Sequence, residues 1–163
     1  INRSSPISFD IQTNITNAQY YSMSFDQKNS DWVGTTPWFR SLTTNGNINQ
    51  PEIGDFVNFD NEVITGRSMN DLDGNWSFDT SSTGLQLDVW NNYVFTFALN
   101  RLRLYINKVL VGEEIVSPAQ NYGNTILRLY ATGTSFTGYV KNVKLYDKEL
   151  EQSEVDQIVA EPN

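Results

Sequence analysis

Apolar and polar residues alternate with a period of two along much of the chain. Ile7, Phe9 and Ile11 alternate with Ser8, Asp10 and Gln12; Tyr21, Met23 and Phe25 with Ser22 and Ser24; Leu85, Leu87 and Val89 with Gln86 and Asp88. Successive strand residues face opposite sides, so each segment predicts a half-buried strand. Residues 92–99 place Tyr93, Phe95, Phe97 and Leu99 on one side and the smaller Val94, Thr96 and Ala98 on the other. That pattern predicts a central strand covered on both faces. Leu102, Leu104 and Ile106 follow, and after Asn107-Lys108 the chain returns through Val109 and Val111. Asn tolerates the left-handed backbone of a tight turn, so this stretch predicts a hairpin. Leu127, Leu129 and Ala131 supply a further strand.

Segments rich in Gly, Asn, Asp and Pro separate these runs, at 43–52, 69–75, 79–84 and 117–124. Short strands at near-even spacing with such punctuation predict an all-β fold, an antiparallel two-sheet sandwich or jelly roll. With 163 residues and no repeat, charge block or linker, residues 1–163 are expected to form a single domain.

The period changes near the end, in residues 138–155. Val140 and Val143 are three apart, so strict alternation cannot turn both inward, and a bulge at Lys141-Asn142 would restore the register. Beyond Tyr146, Leu150, Val155 and Ile158 or Val159 fall near helical spacing, with Glu151 and Glu154 in the first turn, where acidic groups complement the helix dipole. A short amphipathic helix over an open end of the sandwich is expected.

This closing stretch resembles the end of laminin-G-like and concanavalin-A-like jelly rolls: Gly, any residue, Ile, two polar residues, Val, a basic and a hydrophobic residue, Tyr, three residues, Leu, then an acidic helix. Gly138, Val140, Val143, Leu145, Tyr146, Leu150 and Val155 occupy those places. Upstream, Trp90, Phe95, Phe97, Ala98, Leu102, Leu104, Tyr105, Ile106 and Asn107 resemble the family's central strand and hairpin, with Lys108 where a turn Gly is usual. Positive φ at Lys108 would cost about 1 kcal/mol. The resemblance covers residues 85–159 and implies a concanavalin-A-like jelly roll with a short C-terminal helix; it also marks Trp90 as a structural core residue.

Composition narrows the chemistry. Nineteen acidic residues against eleven basic ones give a net charge of −8, which repels phosphate backbones and argues against nucleic acid as a partner. Cys and His are absent, which removes disulfides, zinc ligation through those residues, Cys or Ser-His nucleophiles and imidazole acid–base work. No apolar run approaches the roughly 20 residues needed to span a bilayer, so no membrane insertion is expected. The chain begins without Met and is expected to be excised from a larger secreted or surface-exposed protein, with neighbouring domains as partners.

Some members of the resembled superfamily are glycoside hydrolases with Glu, any residue, Asp, two residues and Glu on one strand. Glu52, Asp55 and Asp60 come nearest, but their spacing differs and Gly54 interrupts the strand. They read as a solvated loop edge, and the chain as noncatalytic. Asp71, Asp73 and Asn75 alternate in the oxygen-rich manner of calcium loops. A plain Asp-Gly turn is the first reading and calcium held by Asp71 and Asp73 the second; the resemblance implies calcium as a cofactor without locating the ion.

Trp rings near loops suit a sugar surface, because the C–H face of a pyranose stacks on the ring while Asn, Asp and Arg bond its hydroxyls. Trp76 with Asp73, Asn75 and Arg67 forms one such group, and Trp38 and Tyr122 are candidates for the same rim; for Trp38 and Trp76 a half-buried sheet position is the alternative. The function expected is a noncatalytic, lectin-like, glycan-binding module of an extracellular protein. The alternative is a structural or adhesive protein-interaction domain on a virion or bacterial surface, and a glycoside hydrolase or lyase is the remotest reading.

Overall fold

The computed structural model describes residues 7–12, 20–30, 38–43, 63–67, 75–80, 83, 85–115, 125–131 and 138–158. The strands are β1 (Ile7–Gln12), β2 (Tyr20–Asn29), β3 (Trp38–Thr43), β4 (Val63–Arg67), β5 (Asn75–Asp79), β6 (Asn91–Ala98), β7 (Arg101–Ile106), β8 (Val109–Ile115), β9 (Thr125–Ala131) and β10 (Gly138–Tyr146), followed by helix α1 (Gln152–Val155). Among the described residues they form a five-stranded sheet in the order β10-β2-β6-β7-β8, a three-stranded sheet β1-β9-β3 and a two-stranded ribbon β4-β5. All pairings are antiparallel, in keeping with a concanavalin-A-like jelly roll.

One face of the five-stranded sheet carries the main core. Tyr21, Met23 and Phe25 of β2, Tyr93, Phe95 and Phe97 of β6 and Leu102, Leu104 and Ile106 of β7 are buried in one cluster, with Phe78 of β5. Register sets the pairs: Phe25 is opposite Tyr93 and stacks on it at 5.3 Å, and Tyr21 is opposite Phe97 at 5.5 Å. Each such large side chain stabilises the fold by about 1.5–3 kcal/mol on burial. β5 approaches β8 where Phe78 lies over Gly112, leaving no room for a side chain there.

The predicted bulge is present: pairing of β10 with β2 shifts between Lys141 and Lys144, and Asn142 takes φ 53°. The extra residue lets Val140, Val143 and Leu145 all pack on the main core. Every residue of β6 is buried, as its two small-and-large faces require. The β7–β8 hairpin turns at Asn107 (φ 49°) and Lys108 (φ 73°), so Lys108 does adopt the strained conformation.

The opposite, outer face of the sheet is covered by the end of the chain. Leu150, Val155 and Ile158 pack on Val94 and Tyr105. Ser22 Oγ donates to the Lys148 carbonyl at 2.9 Å and accepts from the Leu150 N–H at 2.9 Å. The helix therefore covers the outer sheet face and not an open end of the sandwich. Its cover also buries Ser22 and Ser24, so β2 is enclosed on both faces where alternation predicts a half-buried strand.

Two further expectations change. Residues 85–90 are turn and bend instead of a strand, because Asp88 adopts φ 57° and breaks the extended chain. Leu99 is 47% exposed at φ 55° in the β6–β7 turn, so it leaves the core face.

Candidate functional site

Strand ends and the connections between them are where a β-sandwich presents side chains to a ligand. Of the sequence candidates, Arg67 closes β4 and Asn75 opens β5 as its direct register partner, while Trp76 is the next residue, opposite Gly66. The ribbon thus brings the backbones of three of the predicted sugar contacts together. Trp38 opens β3 in the three-stranded sheet, paired with Tyr130. Asp71, Asp73 and Tyr122 lie outside the described residues, as do Glu52, Asp55 and Asp60. Among the described residues no group of three or more carboxylates is placed to hold a metal ion.

A surface that spacing does not reveal stands at the corner of the outer sheet face where β2 ends and β10 begins. Trp90 immediately precedes β6, and Gln27 pairs with Asn91 while Lys28 pairs with Tyr139. Pairing therefore aligns Trp90, Lys28 and Tyr139 across neighbouring strands. Val140 packs inward, so Tyr139 and Lys141 point outward before the bulge. Tyr139 is 59% exposed, its ring centroid is 6.5 Å from that of Trp90, and the planes are tilted by 51°. Lys141 Nζ sits 4.1 Å from the Trp90 ring centroid, a cation–π contact that holds the ammonium in place. Trp90 is half-buried on this corner and is absent from the main core, so it is not the internal core Trp expected from the resemblance.

Amides brace the corner from below. Asp26, 3% exposed, accepts from Asn92 Nδ2 at 2.8 Å and from Asn142 Nδ2 at 2.7 Å. Asn107 ties this end of the sheet together: its N–H reaches the Asn92 carbonyl at 2.8 Å, its Oδ1 accepts from the Asn92 N–H at 2.9 Å, and its Nδ2 donates to Asn91 Oδ1 at 2.9 Å. The left-handed bulge at Asn142 is thus held by its own side chain. Above the corner Ser30 Oγ donates to Asp88 Oδ1 at 2.9 Å.

Elsewhere among the described residues, several ionisable groups serve the fold. Glu149 accepts from Arg101 at 2.8 Å and from Arg103 at 3.2 Å, and Arg103 also donates to Glu113 at 2.7 Å. These carboxylates are engaged by guanidinium groups. Burial pushes the phenols of Tyr21 and Tyr93 well above the usual tyrosine range, so both stay protonated. What the corner offers chemically is an exposed ring, a second ring edge and a fixed ammonium, a set suited to binding a polar ligand with an apolar face.

Comparison with known proteins places this geometry in context. None of the curated proteins matches the chain in sequence. Among solved structures, the chain is similar to domain 4 of AbnA, a GH43 extracellular arabinanase from Geobacillus stearothermophilus, in complex with arabinotriose: 19% identity, TM-score 0.58, covering 84% of this chain and 65% of that domain. It is similar to the heptameric SAP-like pentraxin from Limulus polyphemus at 14% identity and TM-score 0.61, covering 87% of this chain and 70% of the pentraxin. It is also similar to the binding domain of botulinum neurotoxin DC in complex with SialylT, at 19% identity and TM-score 0.57, covering 91% of this chain and 38% of the toxin domain. At such identities the likeness shows the fold. The family model described as the concanavalin A-like lectin/glucanases superfamily, of laminin G type, matches residues 9–156, and the chain belongs to that superfamily.

Proposed function

We propose that this chain is a noncatalytic, lectin-like module that binds carbohydrate as part of a secreted or surface-exposed protein. The observation that carries the proposal is the Trp90–Tyr139 corner, where a 59% exposed phenol ring stands beside a half-buried indole. An exposed ring backed by a rigid sheet presents an apolar surface to sugar C–H groups at small entropic cost, while nearby ammonium, amide and hydroxyl groups take the sugar hydroxyls. Similar structures that contain arabinotriose or SialylT support the same reading. Arg67, Asn75 and Trp76 on the β4–β5 ribbon, with Asp73, Trp38 and Tyr122, are proposed as a second contact surface, and Asp71 and Asp73 as calcium ligands. Such shallow surfaces bind weakly singly, so avidity from repeated modules would set the useful strength.

The test is a glycan array run with calcium and again with EDTA, followed by Tyr139→Ala and Trp76→Ala. Loss of signal in Tyr139→Ala supports the corner, loss in Trp76→Ala supports the ribbon, and loss in EDTA supports calcium. No binding in either condition overturns the proposal.

A second reading, a protein-interaction or adhesive domain, is favoured by strand β8, where Val109, Leu110 and Ile115 are 66%, 46% and 70% exposed. Changing Val109 and Ile115 to Ser together should leave sugar binding intact and abolish a protein contact made by this edge.

A further inference from the structure

Resting on the carbohydrate reading, we propose that Asp88, held in place by Ser30, decides which sugars the Trp90–Tyr139 corner accepts: those that turn two adjacent free hydroxyls toward it. Register gives the placement. Gln27 pairs with Asn91, so continuing along both chains sets Lys28 beside Trp90 and, two residues on, Ser30 beside Asp88. The 2.9 Å bond from Ser30 Oγ to Asp88 Oδ1 shows that the last two do meet. Lys28 is also the register partner of Tyr139. Ser30 therefore lies two residues beyond the row that carries the exposed ring, a step of about 7 Å in extended chain. Exposure rises in the same direction: Asp26 and Asn92 are buried, Lys28 and Trp90 half-buried, and Ser30 and Asp88 exposed. A sugar laid on Tyr139 has the Asp88 carboxylate at its edge.

Asp88 is set before a ligand arrives. Its backbone is left-handed at φ 57°, a conformation that Asp tolerates at some cost, and the Ser30 hydroxyl fixes one carboxylate oxygen. A carboxylate only accepts, through about four lone-pair sites. Ser30 takes one of them, which leaves acceptor capacity on an exposed side chain. Hydroxyls are the donors that a sugar carries in number, and two on neighbouring ring carbons match the two oxygens of one carboxylate. Such charge-assisted bonds are roughly twice as strong as neutral ones, and an acceptor already in position makes them at smaller entropic cost. The roles separate: Tyr139 supplies stacking that any pyranose can use, Asp88 reads the hydroxyls at the edge of the ring, and Ser30 positions Asp88.

The experiment uses the full chain with glucosides, galactosides and mannosides carried on a soluble polymer, because single contacts at such a surface are weak. Each is measured beside forms in which one ring hydroxyl is O-methylated, which keep the ring and lose one donor. Affinity is followed by biolayer interferometry, and the fold of each variant is verified by circular dichroism. For at least one sugar, methylation at either of two adjacent positions should weaken binding roughly tenfold or more. Asp88→Asn keeps the shape and tolerates the same backbone; it should bind the parent sugar roughly tenfold more weakly and show no further loss on methylation at those positions, whereas a steric effect of the methyl group would persist. Ser30→Ala should reduce the methylation penalty in part, and Tyr139→Ala should weaken parent and methylated forms alike. A penalty that survives in Asp88→Asn, or no penalty at any position, overturns the role of Asp88 and keeps the carbohydrate reading. Binding unaffected by Tyr139→Ala removes the corner as the site and the inference with it, and no binding to any sugar overturns the inference together with the reading on which it rests.

Discussion

The side chain of Lys108, at the tip of the β7–β8 hairpin, donates from Nζ to the main-chain carbonyl of Asp156 at 2.7 Å, just past helix α1. The contact is reciprocal, since Gln152 Nε2 donates to the Lys108 carbonyl at 2.9 Å. A cation at the carboxyl end of a helix also opposes its dipole. The residue that strains the turn at φ 73° is therefore the one that fastens the helix to the sheet.

This double role predicts an order of stabilities. Lys108→Ala loses the fastening and keeps the left-handed strain, which costs roughly 1–2 kcal/mol in itself. Lys108→Gly loses the same bond but relieves the strain, offset in part by the greater freedom of unfolded glycine. In urea denaturation the Gly variant should be more stable than the Ala variant by about 1 kcal/mol. Equal midpoints would show that the turn is not strained by its side chain.

At Gly112 the constraint is space. A Cβ built there would lie 2.9 Å from Cδ1 of Phe78, and Phe78 is itself 3% exposed and packed in the main core. Gly112→Ala should cost about 1–3 kcal/mol through overpacking. The cost should fall markedly in a Phe78→Leu background, because the two positions are coupled through contact. An additive double-mutant cycle would place the strain elsewhere.

Much of the fold was legible in local spacing. Alternation in residues 92–99 gave a central strand because both its faces are apolar enough to be covered, and the gap between Val140 and Val143 required a bulge that β10 has. What spacing could not show depends on distant chain. Ser22 and Ser24 read as an open polar face, and they are buried because Leu150 and the helix arrive from more than a hundred residues later. Asp88 and Leu99 take left-handed backbone, which Asp tolerates but Leu does not announce, and this removed one predicted strand and one predicted core position. For the site, Arg67 and Asn75 meet along the backbone because β4 and β5 pair there. Trp90 read as core because it matches the core Trp of the resembled family; only the pairing of β10 with β2 brings Tyr139 and Lys141 beside it.

The bulge residue gives a contrasting case to the hairpin. Asn142 combines φ 53° with a 2.7 Å hydrogen bond to the buried Asp26 carboxylate. Glycine accepts the same backbone, so Asn142→Gly isolates the hydrogen bond, and its loss should cost about 1.5–3 kcal/mol because the acceptor is charged. Asn142→Ala should lose roughly 1 kcal/mol more through strain. Denaturant midpoints of the two variants check both values. Full stability in Asn142→Gly would mean that Asp26 finds another donor and that the amide is not what holds the bulge.

Helix α1 carries a pH dependence whose sign follows from its contacts. The Lys148 ammonium bonded to the Glu154 carboxylate, with the Glu151 N–H at 3.1 Å as a second donor, holds that carboxyl below its ordinary value. A group depressed in the folded state adds stability that is present above its unfolded value and is lost as pH falls through the folded one. The gain is small, since Glu154 is solvent-exposed and the pair is screened by salt. Comparing wild type with Glu154→Gln should show a modest advantage for the wild type near neutral pH at low salt, which closes on acidification below the carboxylate range and narrows as salt is added. The gap should appear most clearly in hydrogen exchange of Val155 and Ile158, which bury the helix against Val94 and Tyr105. A difference that stays constant with pH would assign the effect of the substitution to packing or propensity instead of to the carboxylate.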